Sequence, residues 1–445
     1  MAFLKRLKSI GGDTSGNALA ICAAAMPLII GGAGLAIDSV QISLAKRELQ
    51  RAADSAALAG AYVVNQHVKL AGESEADSAA RRLTNATNGA TRDLQVNNDV
   101  TLSSAAIVQN APTAGTHAND TKAVRVQLSA TRALSFLSFF DATPQAITVE
   151  ATAAVVQDGN FCMLALEDGN APGVTVGGNA EINVQCGIST NSRSTTAITA
   201  GGSSSVFASP IMAVGGVPSS SHFNGATLLP FSPVQTDPYA NLPTPTPSNC
   251  RTAPESKSNG PAITIDEDTP GFNNSDRSIC FNGFDIKGTV TFDFEQPTVV
   301  YINQGELGMG AQSNVTGRNA VFVMTSTNAA NNAGSVGTLD IGAGANVNIT
   351  APTTGPWAGV AFYEDRRVTL GRTMKINGGA DIRINGAMYF PSAYLEYNGN
   401  ADLAASCIQL IARRLDFRGS GTVTNSCPSS GPTRNFKATY VRLVG

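Results

Sequence analysis

Residues 339–349 read LDIGAGANVNI, and the same cadence returns at 174–184 (VTVGGNAEINV) and at 374–384 (MKINGGADIRI). Each copy is apolar-x-apolar, a run of small or polar residues, a small residue (Ala345, Ala180, Ala380), then alternation again. Alternation at period two marks a strand with one buried face, and the Gly/Asn/Ala run between is turn chemistry. Looser copies begin at Ile198, Leu307, Leu395 and Leu415, so the starts lie 24, 109, 32, 35, 21 and 20 residues apart. A spacing of about 20 to 35 residues predicts one coil of a parallel β-helix per copy. One coil cannot bury its own interior, so coils must stack. An antiparallel sandwich would also alternate, but it does not require like residues at like positions.

The 109-residue gap has a different texture. About residues 217–265 it carries Pro218, Pro230, Pro233, Pro238, Pro243, Pro245, Pro247, Pro254 and Pro261. Such a segment is extended and poor in ladder hydrogen bonds. It is either an excursion from the coil stack or a linker between two solenoid blocks.

Six of the seven cysteines fall in this half: Cys162, Cys186, Cys250, Cys280, Cys407 and Cys427. An even set without a CxxC pair suits three disulfides in an oxidising compartment better than zinc or thioredoxin chemistry. Neighbour pairing is expected, because Cys162–Cys186, Cys250–Cys280 and Cys407–Cys427 each bracket one local segment; reduced core thiols are the alternative. Cys22 stands apart in an apolar run, as a small apolar side chain.

That run, Ala18 to Ile37 (ALAICAAAMPLIIGGAGLAI), has no charge over 20 residues. At 1.5 Å per residue it matches a hydrocarbon core of roughly 30 Å. Lys5, Arg6 and Lys8 precede it, as in a cytoplasmic tail. The downstream cysteines place the C-terminal side outward. A cleaved signal peptide, with Gly34-Leu35-Ala36 as its cleavage site, is the competing reading. Gly32 and Ala36 form a small-xxx-small pair that suits close helix packing. Beyond Asp38 the pattern stays helical, with Val40, Leu44, Leu49, Ala53, Ala56 and Val63 approximating one face. A second helix is expected at 73–90 and strands at 99–108, 122–130 and 146–156. The apolar Leu134–Phe140 stretch is too short to span; it either covers the sheet edge or touches the membrane surface.

Residues 13–61 resemble the N-terminal module of the TadG-like proteins of Flp (Tad) pilus assembly. The matching residues are Gly16-Asn17-Ala18, Pro27, Gly34 through Asp38, Arg47, Leu49-Gln50 and Ala52-Ala53-Asp54 through Ala61. The resemblance extends more loosely to 237–245 (DPYANLPTP), 348–366 (NITAPTTGPWAGVAFYEDR) and 384–400 (INGAMYFPSAYLEYNGN). Many relatives carry a von Willebrand A domain; its D-x-S-x-S cation motif is absent here. Counting from Asn17, the place where type IV-like prepilins usually carry Glu holds Ile21, so a retained anchor is expected.

The expected architecture is therefore α+β plus all-β. A tail (1–17) leads into a transmembrane helix (18–37) that extends into a pilin-like α+β domain (38–157), followed by a parallel β-helix (158–445). The resemblance implies a single-pass inner-membrane protein, its C-terminal domain in the periplasm or at the cell surface. It would support pilus assembly, anchoring and adhesion, with membrane lipid, Tad/Flp assembly proteins or pilins, and a surface glycan as partners. Lys+Arg 30 against Asp+Glu 33, with 14% charged residues and no basic stripe, argues against nucleic acid. His67, His117 and His222 are scattered, which argues against a His-rich metal site. Neither a Walker A loop nor a GxSxG elbow occurs. No cofactor and no enzymatic activity are expected. The densest polar group is Tyr363-Glu364-Asp365-Arg366-Arg367. In a carbohydrate-active β-helix enzyme, the alternative reading, Glu364 or Asp365 would act as acid/base and Arg366 would stabilise charge; otherwise the group is a turn with internal ion pairs. Trp357 and Tyr363 either contact a glycan or fill the stack. Pilus-independent adhesion is the remaining alternative.

Overall fold

The computed structural model describes residues 16–368, 371–377, 381–399, 402–405, 407–427 and 436–445. Lys5, Arg6, Lys8 and Ala380 lie outside them. The chain divides into two units, one holding residues through Val156 together with Val441–Gly445, the other Gln157–Tyr440.

The first unit is built on α1 (Gly16–Asn65), an unbroken helix with Pro27 inside it. By length and composition it can cross a membrane, with a mean hydropathy of 1.6 in its apolar part. Met26, Leu28, Ile29, Ile30, Leu35 and Ile37 are all exposed. Further along, Ala45, Leu49, Ala52, Ala53, Ala56, Ala57, Ala61 and Val64 form the buried stripe. Val40 and Leu44, expected on that face, point away from it and are exposed. The buried face is mostly alanine, and counting bulky apolar residues selects the wrong side.

The alanines allow close approach. α2 (Glu75–Asn97) is capped by Ser74, whose Oγ accepts the Asp77 N–H at 3.1 Å. It runs seven residues past the expected end at 90 and buries Ala86, Ala90 and Leu94 in the same core. A methyl group on Gly89 would stand 2.8 Å from Val63 Cγ2, and one on Gly60 2.9 Å from Val124 Cγ1. Three antiparallel strands pack on the helices: β1 (Ile107–Asn110), β2 (Ala123–Arg132) and the start of β3 (Gln145–Ala165). Val124, Val126 and Leu128 alternate onto the helices with Val149 and Ala151 beside them. Of the strand expected at 99–108, only the end is extended.

The second unit is almost wholly β. Apart from the last strand, Phe436–Leu443, its described strands pair in parallel and fall into three columns. One contains Phe284, Leu307, Leu339, Met374, Leu395, Leu415, Val174 and Ile198. All seven repeat starts read from the sequence lie on it. A second column carries Val290, Val315, Val347, Ile382, Leu403, Val423, Ile182 and Val206. The third carries Val300, Phe322, Phe362, Met388, Leu410, Met163, Ile188 and Ile211. Inward side chains from all three make one apolar core, in which Phe322 meets Phe292 edge to face at 4.8 Å and stacks on Phe362 at 5.3 Å.

The order within the columns departs from chain order. Leu415 pairs with Val174, Val423 with Ile182 and Leu410 with Met163, so the strands of 408–425 lie directly on those of 161–184. A corner column repeats across this seam. Gly399, Gly419, Gly178 and Gly202 all have positive φ, between 69° and 101°. A Cβ on Gly178 would stand 2.8 Å from the Gly419 carbonyl oxygen, and one on Gly202 2.6 Å from that of Gly178. Only glycine meets both demands.

Because of the seam, the chain after Ile211 must travel to the far side of the stack, where Ile263–Ile265 pairs with Val290–Phe292. The Pro-rich segment makes that journey. Third-column strands carry apolar residues outward as well as inward: Val321, Val323, Tyr363, Tyr389 and Ile411 form a second cluster, on which Tyr239 and Leu242 of the segment pack. The disulfides are Cys162–Cys186, Cys250–Cys280 and Cys407–Cys427, and the second pins the segment's distal end.

Candidate functional site

Two groups of residues concentrate the chemistry. The first lies where α1 leaves its apolar half. Gly34 and Asp38 are one helical turn apart on one face, and both are buried. The Asp38 carboxylate accepts the Phe136 N–H at 3.0 and 3.2 Å and the Leu137 N–H at 2.7 Å. These donors begin a short 3-10 turn, Leu137–Phe139, whose first N–H groups have no partner of their own. Phe136 lies against Gly34, where any larger residue would overlap its ring. Gln41 Nε2 donates to Ser135 Oγ at 3.1 Å. A groove of about 320 Å³ remains beside Phe136, lined by Ile30, Ala33, Gly34, Ile37 and Phe139.

Other signature residues serve the core. Leu49, Ala52 and Ala53 are buried in it. Gln50 Nε2 donates to Asp54 Oδ1 at 2.8 Å and to the Glu150 carbonyl at 2.9 Å, tying α1 to β3. Arg47 faces solvent. Gly32 and Ala36 are exposed, and a side chain on Gly32 would meet nothing within 4 Å. Cys22 is free and exposed.

The second group is Tyr363–Arg367. The Glu364 carboxyl is 0% exposed. Its Oε2 accepts the Ser392 N–H at 3.2 Å, while Oε1 has no hydrogen-bond partner. Burial pushes this carboxyl up to about 8, offset only in part by the Ser392 bond and the Arg372 charge. Asp365, equally sealed, accepts from Thr325 Oγ1 at 2.7 Å and from Arg367 Nη2 at 2.5 Å. Burial works to raise it, but the hydrogen bonds from Arg367 and Thr325 prevail and leave it below the usual range.

Both arginines are spent on the Pro-rich segment. Arg366 donates to the Tyr239 and Ala240 carbonyls and, at 2.8 Å, to the Tyr389 hydroxyl. Tyr389 in turn donates to Asp237 Oδ2 at 2.6 Å. Arg367 Nη2 donates to the Pro245 carbonyl at 2.9 Å, and Tyr239 donates to Gln409 Oε1 at 2.5 Å. Trp357 and Tyr363 meet edge to face at 4.8 Å, both buried in the cluster beneath the segment. The arrangement clamps a strap, and neither the Glu364 nor the Asp365 carboxyl has access to solvent. Asp237 and Tyr239 were visible in the sequence only as part of DPYANLPTP, with no sign of their role. Among the described residues, no three His, Cys, Asp or Glu side chains are grouped to hold a metal ion.

Along α1 the exposed apolar residues between Met26 and Ile37 form a candidate membrane anchor, and the alanine-lined stretch beyond them is buried in the first unit. Residues 16–63 match the family model Tad, described as putative Flp pilus-assembly TadE/G-like. The matched segment contains Gly34, Asp38, Gln50 and nearly all of the alanine stripe. No curated protein and no solved structure matches the chain.

Proposed function

We propose that this chain is a membrane-anchored structural component of the Flp pilus system, acting by binding rather than by catalysis. The observation that carries the reading is the match over residues 16–63. On this reading residues 18–37 cross the inner membrane once, residues 1–17 are cytoplasmic, and the chain beyond Asp38 lies on the oxidising side. The exposed apolar side chains of α1 support the span, and three disulfides support the compartment. Gly32 and Ala36, open on the helix surface, are the face for a partner's span.

Residues 38–157 are then a pilin-like α+β domain that docks assembly proteins or pilins. Residues 158–445 are a parallel β-helix whose strapped surface supports adhesion to a protein or a surface glycan. Three in-register parallel columns around one core support that architecture. The non-enzymatic reading is supported by Glu364 and Asp365, both sealed from solvent.

The test is deletion of the gene in its native host, with surface pili imaged by electron microscopy. Pili lost in the deletion strain and restored by the plasmid-borne gene are the expected result. Normal pili with reduced attachment would replace this reading with pilus-independent adhesion.

A further inference from the structure

We propose that Leu134–Phe140 is a membrane-interface wedge, seated in the outer leaflet beside α1, which sets how far the α+β unit stands from the bilayer. The proposal rests on the reading that residues 18–37 span a membrane. Between Arg132 and Asp141 the sequence ALSFLSFF carries no charge. In water such a loop would turn its phenylalanines inward. Here Phe139 is 85% and Phe140 78% exposed, while Phe136, in edge contact with Phe140 at 5.4 Å, is held against α1.

The loop cannot fold its rings away because its backbone is fixed. Asp38 holds the N–H groups of Phe136 and Leu137, and Gln41 holds Ser135. The exposed rings are continuous with the exposed apolar surface of α1, since Phe139 shares a groove with Ile30, Ala33 and Ile37. Ile30 to Ile37 is two helical turns, about 10 Å of rise, ending where the uncharged run ends at Asp38. An apolar face seated at an interface sinks to a similar depth, roughly 5–10 Å. The occupant is therefore the acyl and headgroup boundary of the bilayer that receives α1. Gly34 and Asp38 gain a joint purpose: one makes room for the wedge, the other locks it.

The experiment uses the full chain in phosphatidylethanolamine/phosphatidylglycerol vesicles containing lipids brominated either near the headgroup or deep in the acyl chain. Single substitutions Phe139→Trp, Ile29→Trp and Val68→Trp are read by fluorescence quenching, with the native Trp357 signal subtracted. All three replaced side chains are exposed, so folding is not at stake. Val68 lies past the end of α1, about 40 Å of helix beyond Ile37. Expected is deep quenching at Ile29→Trp, and at Phe139→Trp shallow quenching several-fold above that of Val68→Trp. Quenching at Ile29→Trp with none at Phe139→Trp overturns the wedge and leaves the span standing. A concentration-dependent blue shift at Phe139→Trp without quenching would assign the rings to a second copy of the chain, and also overturns it. No quenching at Ile29→Trp defeats the anchoring reading and the wedge with it.

Discussion

Asp38 is a carboxylate buried near the middle of α1, where the uncharged run ends, and its surroundings contain donors but no cation among the bonds it makes. Three contacts from two backbone N–H groups satisfy it. Truncation leaves those groups buried without partners, so Asp38→Ala should cost the first unit about 2–4 kcal/mol. Asp38→Asn keeps one acceptor and should cost less. Denaturant unfolding in detergent checks both, and an alanine variant as stable as the native chain would contradict the geometry. Glu364 makes the opposite prediction about charge. Its carboxyl is raised to about 8 in the folded state against an ordinary value of 4.5, so the native state keeps a proton that the unfolded chain releases. Stability of the second unit should therefore fall as pH rises from about 4.5 to about 8, by a few kcal/mol at most, and then level off. Glu364→Gln should flatten that slope and be the more stable protein at pH 8; urea midpoints across this range decide. Asp38 was legible as a signature position at the end of an apolar run. Its partners were not, because they stand 98 and 99 residues away and offer backbone groups, which leave no trace in residue type.

Alanine governs the elements of the first unit. A face read from Val40 and Leu44 goes astray because the packing of α1 on α2 selects for smallness rather than hydrophobicity, and bulky side chains are left on the outside. Gly89 and Gly60 sit at the tightest points. Gly89→Leu should force the helices apart and cost about 1–3 kcal/mol, seen as a lowered melting temperature. Gly32→Leu meets no atom of its own chain. It should leave the melting temperature unchanged while weakening association with any partner span, which crosslinking in membranes would report. In the second unit the repeat was readable because stacking places like residues at like positions. The Pro-rich segment was readable as extended chain. That it is a strap was hidden, since its holding contacts, Tyr389 to Asp237 and Tyr239 to Gln409, join residues 152 and 170 apart.

At the scale of a whole unit, the seam reverses the usual relation between chain ends and stability. Stacked repeats fray from their outer layers, and chain termini are commonly the least protected. Here the strands of 408–425 and those of 161–184 cover each other inside the columns, away from either end. Phe161–Ala165 is paired on one side by Leu410–Ala412 and on the other by Gly187–Thr190. The outer positions fall instead to mid-chain segments, Leu228–Leu229 against Ile211–Met212 and Ile263–Ile265 against Val290–Phe292. Two of the disulfides, Cys162–Cys186 and Cys407–Cys427, begin within or beside the strands that meet at the seam and close loops of 24 and 20 residues. Each is worth about 3 kcal/mol by loop-closure entropy. Native-state hydrogen exchange should therefore find the amides of 162–165, 174–176 and 410–417 opening only with the whole unit, while 228–229 and 263–265 open locally at lower free energy. Reducing the disulfides should lower the global opening energy of the seam strands without changing this order. If the seam strands exchange as fast as the outer ones, the strands of 408–425 and those of 161–184 do not hold each other, and the strap has no span to cross.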